Sequence, residues 1–348
     1  MIPLSDGDAP EPIGDSADYG ETRAFDSAQQ QAIESSLFGA DPAVPAPAPP
    51  AYAYAPPSSP SSNIDQTLFA AYTQPPIRRP VRIPHFGHLL LLSLLILVAL
   101  GMMALVLGLA SYFHLFGWTF STASATDLRF NLLSEAALYL VTFAFSLFVF
   151  PMIWNEGYFA GVEWRGEVAR SRFWLLLSIA SLCFGLAILD QVAMPGPSNA
   201  PIEKMMSSPG AAWLMFAFGV TIAPFFEEMF FRGFLLPALC TACDWIAEKM
   251  RHTLPLPLDA DGHPQWSMPA MVVGSIATSI PFALLHVDQQ GHSLGPFLLL
   301  IVVSTTLCAV RLKARSLAAS TLVHAIYNFF IFAMTLIGTG GFRHFDKM

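Results

Sequence analysis

The run Leu89–Ala110 (LLLLSLLILVALGMMALVLGLA) constrains this chain more than any other feature, because 22 consecutive residues carry no charge. At 1.5 Å per residue it crosses a hydrocarbon core about 30 Å thick. Six further apolar stretches follow, at Ala136–Ile153, Phe173–Leu189, Ala211 to about Leu239, Met268 to about Val287, Pro296–Val310 and Ser316–Ile337. The sixth is short, and the second, third and fifth are close to the lower length limit for a span. Only helices and closed barrels satisfy backbone polar groups in lipid, so runs of this length predict an all-α polytopic membrane protein with about seven transmembrane helices. Composition agrees: 54% of residues are apolar and 12% charged, which excludes a disordered chain, a disulfide-held mini-domain and a nucleic-acid binder.

The formal net charge of −8 belongs to one end of the chain. Residues 1–77 hold ten carboxylates and one arginine, or −9, which leaves about +1 for the remainder. Residues 1–84 are acidic and rich in Pro, Ala and Ser, most clearly from Asp41 to Ser62, and bury too little apolar surface to offset chain entropy. They are expected to form a disordered cytoplasmic tail, an extended tether in preference to a polyproline docking surface. The acidic start, Met1–Ala9, lacks the form of a signal peptide, so the tail is expected to be retained. Residues 85–200 then supply three accessory helices, and 201–340 a core carrying the chemistry.

Lysines and arginines mark every second connection: Arg78, Arg79 and Arg82, then Arg165, Arg170 and Arg172, then Lys249 and Arg251, then Arg311, Lys313 and Arg315. The asymmetry predicts a cytoplasmic N-terminus and an external C-terminus, as seven spans require, in a plasma (inner) membrane. Cys183, Cys240, Cys243 and Cys308 lie in or beside apolar stretches and suggest no disulfide framework. Cys240-x-x-Cys243 with His252 and His263 does not match zinc-finger spacing, and reads as small residues at a helix end. Gly338–Gly341 reads as a flexible end, and neither it nor any other segment has the context of a nucleotide-binding loop.

The costly residues are the informative ones. The fourth span contains Phe225–Arg232 (FFEEMFFR), and three ionisable groups at membrane depth cost roughly 7 to 10 kcal/mol on insertion scales, whereas the dozen large apolar residues from Leu214 to Leu236 recover roughly 5. The segment must therefore face the bundle interior or a wet cavity. Glu228 and Arg232 are four residues apart with the acid first, the favourable order for an ion pair along a helix. Glu227 lies about 100° around the helix and has no such partner, which makes it the candidate general base. From this motif alone, a helix end entering the interface with solvated charges remains equally open.

Two other spans supply polar faces. Phe282 and His286 stand one turn apart near the end of the fifth, and His324 and Asn328 one turn apart within the seventh. Taken singly, His286 reads as an interfacial or hydrogen-bonded structural residue, and the His324–Asn328 pair reads equally as interhelical hydrogen bonding or as part of a functional site. Together the three faces can converge on one cavity holding a carboxylate, two imidazoles, an amide and a paired Glu–Arg. Such a set suits activation of water.

At these residues the chain resembles the CAAX protease and bacteriocin-processing family of intramembrane glutamate endopeptidases, which includes CAAX prenyl protease 2 and lysostaphin-resistance-like proteins. The family pattern is Glu-Glu-x-x-x-Arg, Phe-x-x-x-His and His-x-x-x-Asn/Asp. It is matched here by Glu227, Glu228 and Arg232, by Phe282 and His286, and by His324 and Asn328. The resemblance covers about Trp213–Phe332 and implies hydrolysis of a peptide bond in a membrane-associated or lipid-modified substrate. Glu227 and His286 would activate water, His324 and Asn328 would stabilise the oxyanion, Glu228 and Arg232 would support the helix, and Phe282 would pack the site.

No cofactor is expected on this reading. The alternatives are a zinc metalloprotease using the same residues as ligands, and a non-catalytic scaffold or immunity protein that binds a partner in the polar pocket. Membrane lipids and a membrane-associated peptide or protein are the expected partners, with no nucleic acid. One geometric tension accompanies the site. Counted from a common plane at the cytoplasmic helix ends, Glu227 lies about 20 Å deep, His324 about 12 Å and His286 about 27 Å. Helix tilt, a late start of the fifth helix, or breaks at Pro224, Gly274 and Pro281 would have to reconcile them.

Overall fold

The computed structural model describes residues 83–115, 127–194, 209–253, 256 and 265–343. The readings of the tail, up to residue 82, and of His263 fall outside them. Among the described residues every regular element is helical. The helices are α1 (Phe86–Tyr112), α2 (Leu128–Trp154), the short α3 (Tyr158–Gly161) and α4 (Gly166–Ser171), α5 (Phe173–Ala193), the 42-residue α6 (Gly210–Arg251), α7 (Met268–Leu285), α8 (Leu294–Ala314) and α9 (Leu317–Gly338). Seven of them are long and apolar enough to cross a membrane: all except α3 and α4. The protein is an integral membrane protein in contact with lipid. Apolar side chains such as Leu90, Leu97 and Leu105 on α1 and Trp174 and Val192 on α5 face outward, whereas Glu228, Arg232, Thr278, Ser304, Ser320 and His324 are buried.

Each start and stop has a local cause. Asp127 caps α2 by accepting from the Arg129 N–H at 2.8 Å, and Asn155, in the left-handed region at φ 57°, ends it. Ser267 caps α7 and Ser316 caps α9, each accepting from the backbone N–H three residues on. The turn after α9 corrects one expectation. Gly338–Gly341 is an ordered Schellman turn in which Gly341 N–H donates to Leu336 O at 2.8 Å and Gly340 takes φ 61°. It delivers the fully buried Phe342 against Trp213, their ring centroids 5.2 Å apart.

Two boundaries differ from the sequence reading in ways that bear on the site. Helix α2 begins two turns before Ala136, because Asp127 supplies the cap, so Glu135 lies inside the span. Helix α6 continues past Leu239 to Arg251, with an amphipathic final segment that meets α7 through Cys240 and Asp244 while Ile246 and Met250 stay exposed. Two π-helical stretches, Phe218–Ile222 and Met229–Leu235, bracket its central turn Ala223–Glu228. Such widenings of an α-helix are frequent at functional sites.

The overlong α6 resolves the depth tension, since the helices do not start from a common plane. Ser267, at the start of α7, donates its N–H to Asp244 Oδ2 at 3.0 Å. From Asp244 back to Glu227 is about 26 Å at helical rise, and from Ser267 forward to His286 about 28 Å. Helix α9 starts deeper in the bundle. Gly233 lets Leu317 approach so closely that a Cβ at Gly233 would meet Leu317 Cδ2 at 3.3 Å. Glu227 then lies about 9 Å from Gly233, and His324 about 10 Å from Leu317, so all three side chains come level.

That deeper start is held by the segment between α2 and α5. Leu317 N–H donates to Glu163 O at 2.9 Å, Ser316 Oγ to Arg165 O at 2.8 Å, and the Glu163 carboxylate takes Arg311 at 2.7 Å and Arg315 at 3.2 Å. Burial opposes the charge on Glu163, but the attraction and hydrogen bond of Arg311, joined by Arg315 and Arg165, outweigh it and hold its carboxyl below the usual carboxylate range. Two of the basic connections thus share one end of the bundle.

Candidate active site

Helices α6, α7 and α9 bring together the residues that the spacing singled out. Glu228 and Arg232 form the inner layer, both with fully buried side chains and 2.9 Å apart. Arg232 Nη2 also donates to Ser304 Oγ at 2.7 Å and to Ser304 O at 3.2 Å on α8, so its charge meets both a carboxylate and polar oxygens. The Phe282 ring lies under the guanidinium, 4.4 Å from centroid to Cζ, and contacts His286 (4.9 Å between centroids) and His324 (5.8 Å, edge-on). Phe282 is therefore the apolar wedge that spaces Arg232 from the imidazoles.

Glu227 forms the outer layer. Its side chain is 20% exposed, next to His286 at 22% and His324 at 5%, so the cluster is partly open at Glu227 and His286 and closed at His324. Glu227 Oε2 lies 4.0 Å from His286 Nε2 and 3.8 Å from His324 Nε2. Both gaps exceed a direct hydrogen bond and suit a small molecule held between the three groups. The opposite nitrogens fix the rings. His286 Nδ1 is 2.8 Å from Phe282 O, and His324 Nδ1 is 3.1 Å from Glu228 Oε1. A carbonyl and a carboxylate only accept, so each Nδ1 carries hydrogen and each Nε2 is presented to Glu227.

Asn328 is placed differently. Its amide donates to Gly219 O at 2.8 Å, within the first π stretch of α6 and about 12 Å along that helix from Glu227. Asn328 joins α9 to α6 one turn from His324, and its hydrogen bond is with the backbone rather than with the Glu–His–His cluster.

Three features near the site were not singled out in the sequence. Ser304 on α8 holds Arg232 and carries no local signal, since serine is common in spans. Glu135 and Tyr139 on α2 are hydrogen-bonded at 2.7 Å, and the Tyr139 ring stacks on Phe226, the residue before Glu227. Glu135 carries a signal, as a lone carboxylate beside an apolar run, but lies one residue outside the expected span.

The zinc alternative can be tested against the spacing. Tetrahedral zinc with ligands near 2.0–2.2 Å sets its donors roughly 3.4 Å apart, closer than the 3.8 and 4.0 Å found here. Among the described residues no three His, Cys, Asp or Glu side chains converge as a metal-holding group. Cys240 is buried within α6, its sulfur close to Gly274, consistent with the reading of Cys240 and Cys243 as small residues along a helix.

A seven-helix integral membrane bundle that gathers a carboxylate and two oriented imidazoles in its interior has the design of a membrane protease. Residues 209–330 match the family model described as Type II CAAX prenyl endopeptidase Rce1-like, a stretch that contains Glu227, Glu228, Arg232, Phe282, His286, His324 and Asn328. That match is consistent with the CAAX protease family, as the three motifs suggested. No curated protein and no solved structure matches the chain.

Proposed function

We propose that the protein is an intramembrane glutamate endopeptidase that hydrolyses a peptide bond by water activated between Glu227, His286 and His324. The observation that carries this reading is the arrangement of two Nε2 atoms, each with its ring pinned at Nδ1, around one partly open carboxylate oxygen. Water bound there donates to Glu227 and to the His286 Nε2 lone pair. As its oxygen attacks the peptide carbonyl carbon, Glu227 takes the proton. His324, as an imidazolium with Nδ1–H held on Glu228, offers its Nε2–H to the oxyanion that forms. Glu227 then returns the proton to the amide nitrogen as the C–N bond breaks, giving an amine and a carboxylic acid, whose remaining proton passes by way of the His286 Nε2 lone pair to the amine to leave a carboxylate and an ammonium group.

Asn328 seats α9 on the widened turn of α6, with its second amide hydrogen left for the oxyanion. Glu228 and Arg232 act behind the reacting atoms, one orienting His324 and the other neutralising Glu228. The substrate is a membrane-associated peptide. The family description and the site's place among apolar helices favour a lipid-modified C-terminal segment of the CAAX type. The N-terminus and the basic connections face the cytoplasm, in the plasma (inner) membrane, with 85–200 as accessory helices and 201–340 as the peptidase core. The test uses the purified full chain in liposomes with a farnesylated CAAX-type peptide and its unprenylated twin, each with and without chelator. Release of the C-terminal tripeptide from the prenylated peptide, undiminished by chelator and absent with Glu227→Gln, is the expected result. Equal cleavage by Glu227→Gln, or loss of activity in chelator with recovery in zinc, contradicts the mechanism.

A further inference from the structure

Helix α8 carries none of the three motifs, yet it is bonded to both helices that frame the Glu227–His286 gap. Two consecutive residues make these bonds. Ser304, fully buried, accepts from Arg232 Nη2 at its Oγ (2.7 Å) and at its carbonyl (3.2 Å). Arg232 stands about 8 Å along α6 from Glu227. Thr305 Oγ1, shared between Ile301 O of its own helix at 2.8 Å and Ser279 Oγ at 3.1 Å, holds α7 about 10 Å before His286. Ser279 is also fully buried, and its hydroxyl donates to Ser275 O at 2.8 Å, which leaves its oxygen to accept from Thr305.

These bonds differ in kind from the ring contacts at the same level. Phe282 of α7 meets the Phe231 ring and the Arg232 guanidinium of α6 at 5.2 and 4.4 Å, contacts that hold two helices at a distance but tolerate a slide along their axes. The bond from Ser267 to Asp244 lies about 26 Å from Glu227 along α6. A hydroxyl bond is lost within a shift of roughly 1 Å. Ser304 and Thr305 therefore fix the axial positions of α6 and α7 against one turn of α8, and the 4.0 Å between Glu227 Oε2 and His286 Nε2 follows from those two settings. Through Arg232 the same turn reaches Glu228 at 2.9 Å and, from Glu228 Oε1, His324 Nδ1 at 3.1 Å.

We infer that Ser304 and Thr305 are positioning residues of the peptidase site, which together set the spacing of Glu227 and His286 by holding α6 and α7 against one turn of α8. This inference rests on the proposed roles of Glu227 and His286 and extends the machinery to a fourth helix. Neither hydroxyl touches the reacting atoms, so its loss slows the chemical step without weakening the hold on substrate.

The experiment measures kcat and KM of the reconstituted full chain on a membrane peptide for wild type, Ser304→Ala, Thr305→Val, Thr305→Ser, Thr306→Val and Glu227→Gln. Thr306 is the control, the next hydroxyl on α8, which donates to Val302 O of its own helix at 2.9 Å. Ser304→Ala and Thr305→Val each lower kcat by about 10-fold or more with KM unchanged, within the roughly 10²-fold that a 1 Å misplacement can cost. Thr305→Ser restores the hydroxyl and with it most of kcat, and Thr306→Val matches wild type. If Ser304→Ala fails to fold, the two Thr305 variants decide, because Arg232 keeps its partners in both. With Glu227→Gln inactive, the inference is overturned by wild-type kcat in Ser304→Ala and Thr305→Val, by a raised KM at unchanged kcat, by Thr305→Ser as slow as Thr305→Val, or by an equal loss in Thr306→Val. Each of these leaves the peptidase reading standing, whereas an active Glu227→Gln overturns both.

Discussion

Replacing Arg232 with Met would leave the Glu228 carboxylate in a site with no solvent exposure and His324 Nδ1 as its hydrogen-bond partner. Breaking a buried pair by removing one partner costs about 3–5 kcal/mol, because the remaining charge is uncompensated, whereas replacing both partners by apolar groups of similar volume is often neutral. At roughly 2–4 °C per kcal/mol for a domain of this size, Arg232→Met should lower Tm by about 10 °C. The double variant Arg232→Met/Glu228→Leu should recover most of that loss. Melting of the purified protein in a mild detergent reads the stability, and peptide cleavage reads the function. The two readouts should separate: the double variant melts near wild type, yet loses activity by up to about 10⁴-fold, the loss produced when the orienting carboxylate of a catalytic triad is replaced. A single variant that melts within 2 °C of wild type, or a double variant that melts as low as the single, would refute the reasoning that the pair is buried and coupled.

Other consequences follow from the same contacts. Because the Glu163 carboxyl sits below its ordinary value of 4.5 in the folded chain, the stability it contributes is complete above that value and is lost as pH falls through the lower folded value. Melting temperature should therefore drop below about pH 4.5 in wild type, and Glu163→Gln should flatten that dependence while lowering Tm at pH 7. Asn328→Ala removes one interhelical hydrogen bond, worth about 0.6 kcal/mol on average in membrane bundles. Its Tm should barely move while kcat falls about 10²-fold through the lost oxyanion donor; an unchanged kcat would limit Asn328 to seating α9. At Gly274 a Cβ would meet Cys240 Sγ at 2.6 Å and the Cys240 backbone N at 3.4 Å. Gly274→Val should thus destabilise by about 1–3 kcal/mol through overpacking of α6 against α7, read as a lower Tm.

The helical class and the seven spans could be read from long uncharged runs, since lipid leaves a chain few ways to satisfy its backbone. The residues brought together were legible for a related reason: Glu227, Glu228, Arg232, His286 and His324 are costly in lipid, and cost marks them. Their depths could not be read. A run of apolar residues gives a length but not a starting plane, and the levels were set by contacts far apart in sequence, Ser267 on Asp244 and Leu317 on Glu163. The π stretches of α6 left no composition signal, because a widened turn depends on packing partners. Glu135 falls outside the expected span because the capping residue Asp127 extends α2 outward by two turns. The spacing sets Asn328 one turn from His324, but the Gly219 carbonyl that takes its amide belongs to a turn whose geometry the spacing does not encode.

The convergence of three helices on one reacting water is tested most directly by kcat for the single variants Glu227→Gln, His286→Gln and His324→Gln and for the triple variant, measured on one membrane peptide. Residues that act as a unit are strongly non-additive, so the triple variant should be about as slow as the worst single one. Losses that multiply across the three positions, or singles that retain wild-type kcat, would show that these side chains do not share one catalytic step.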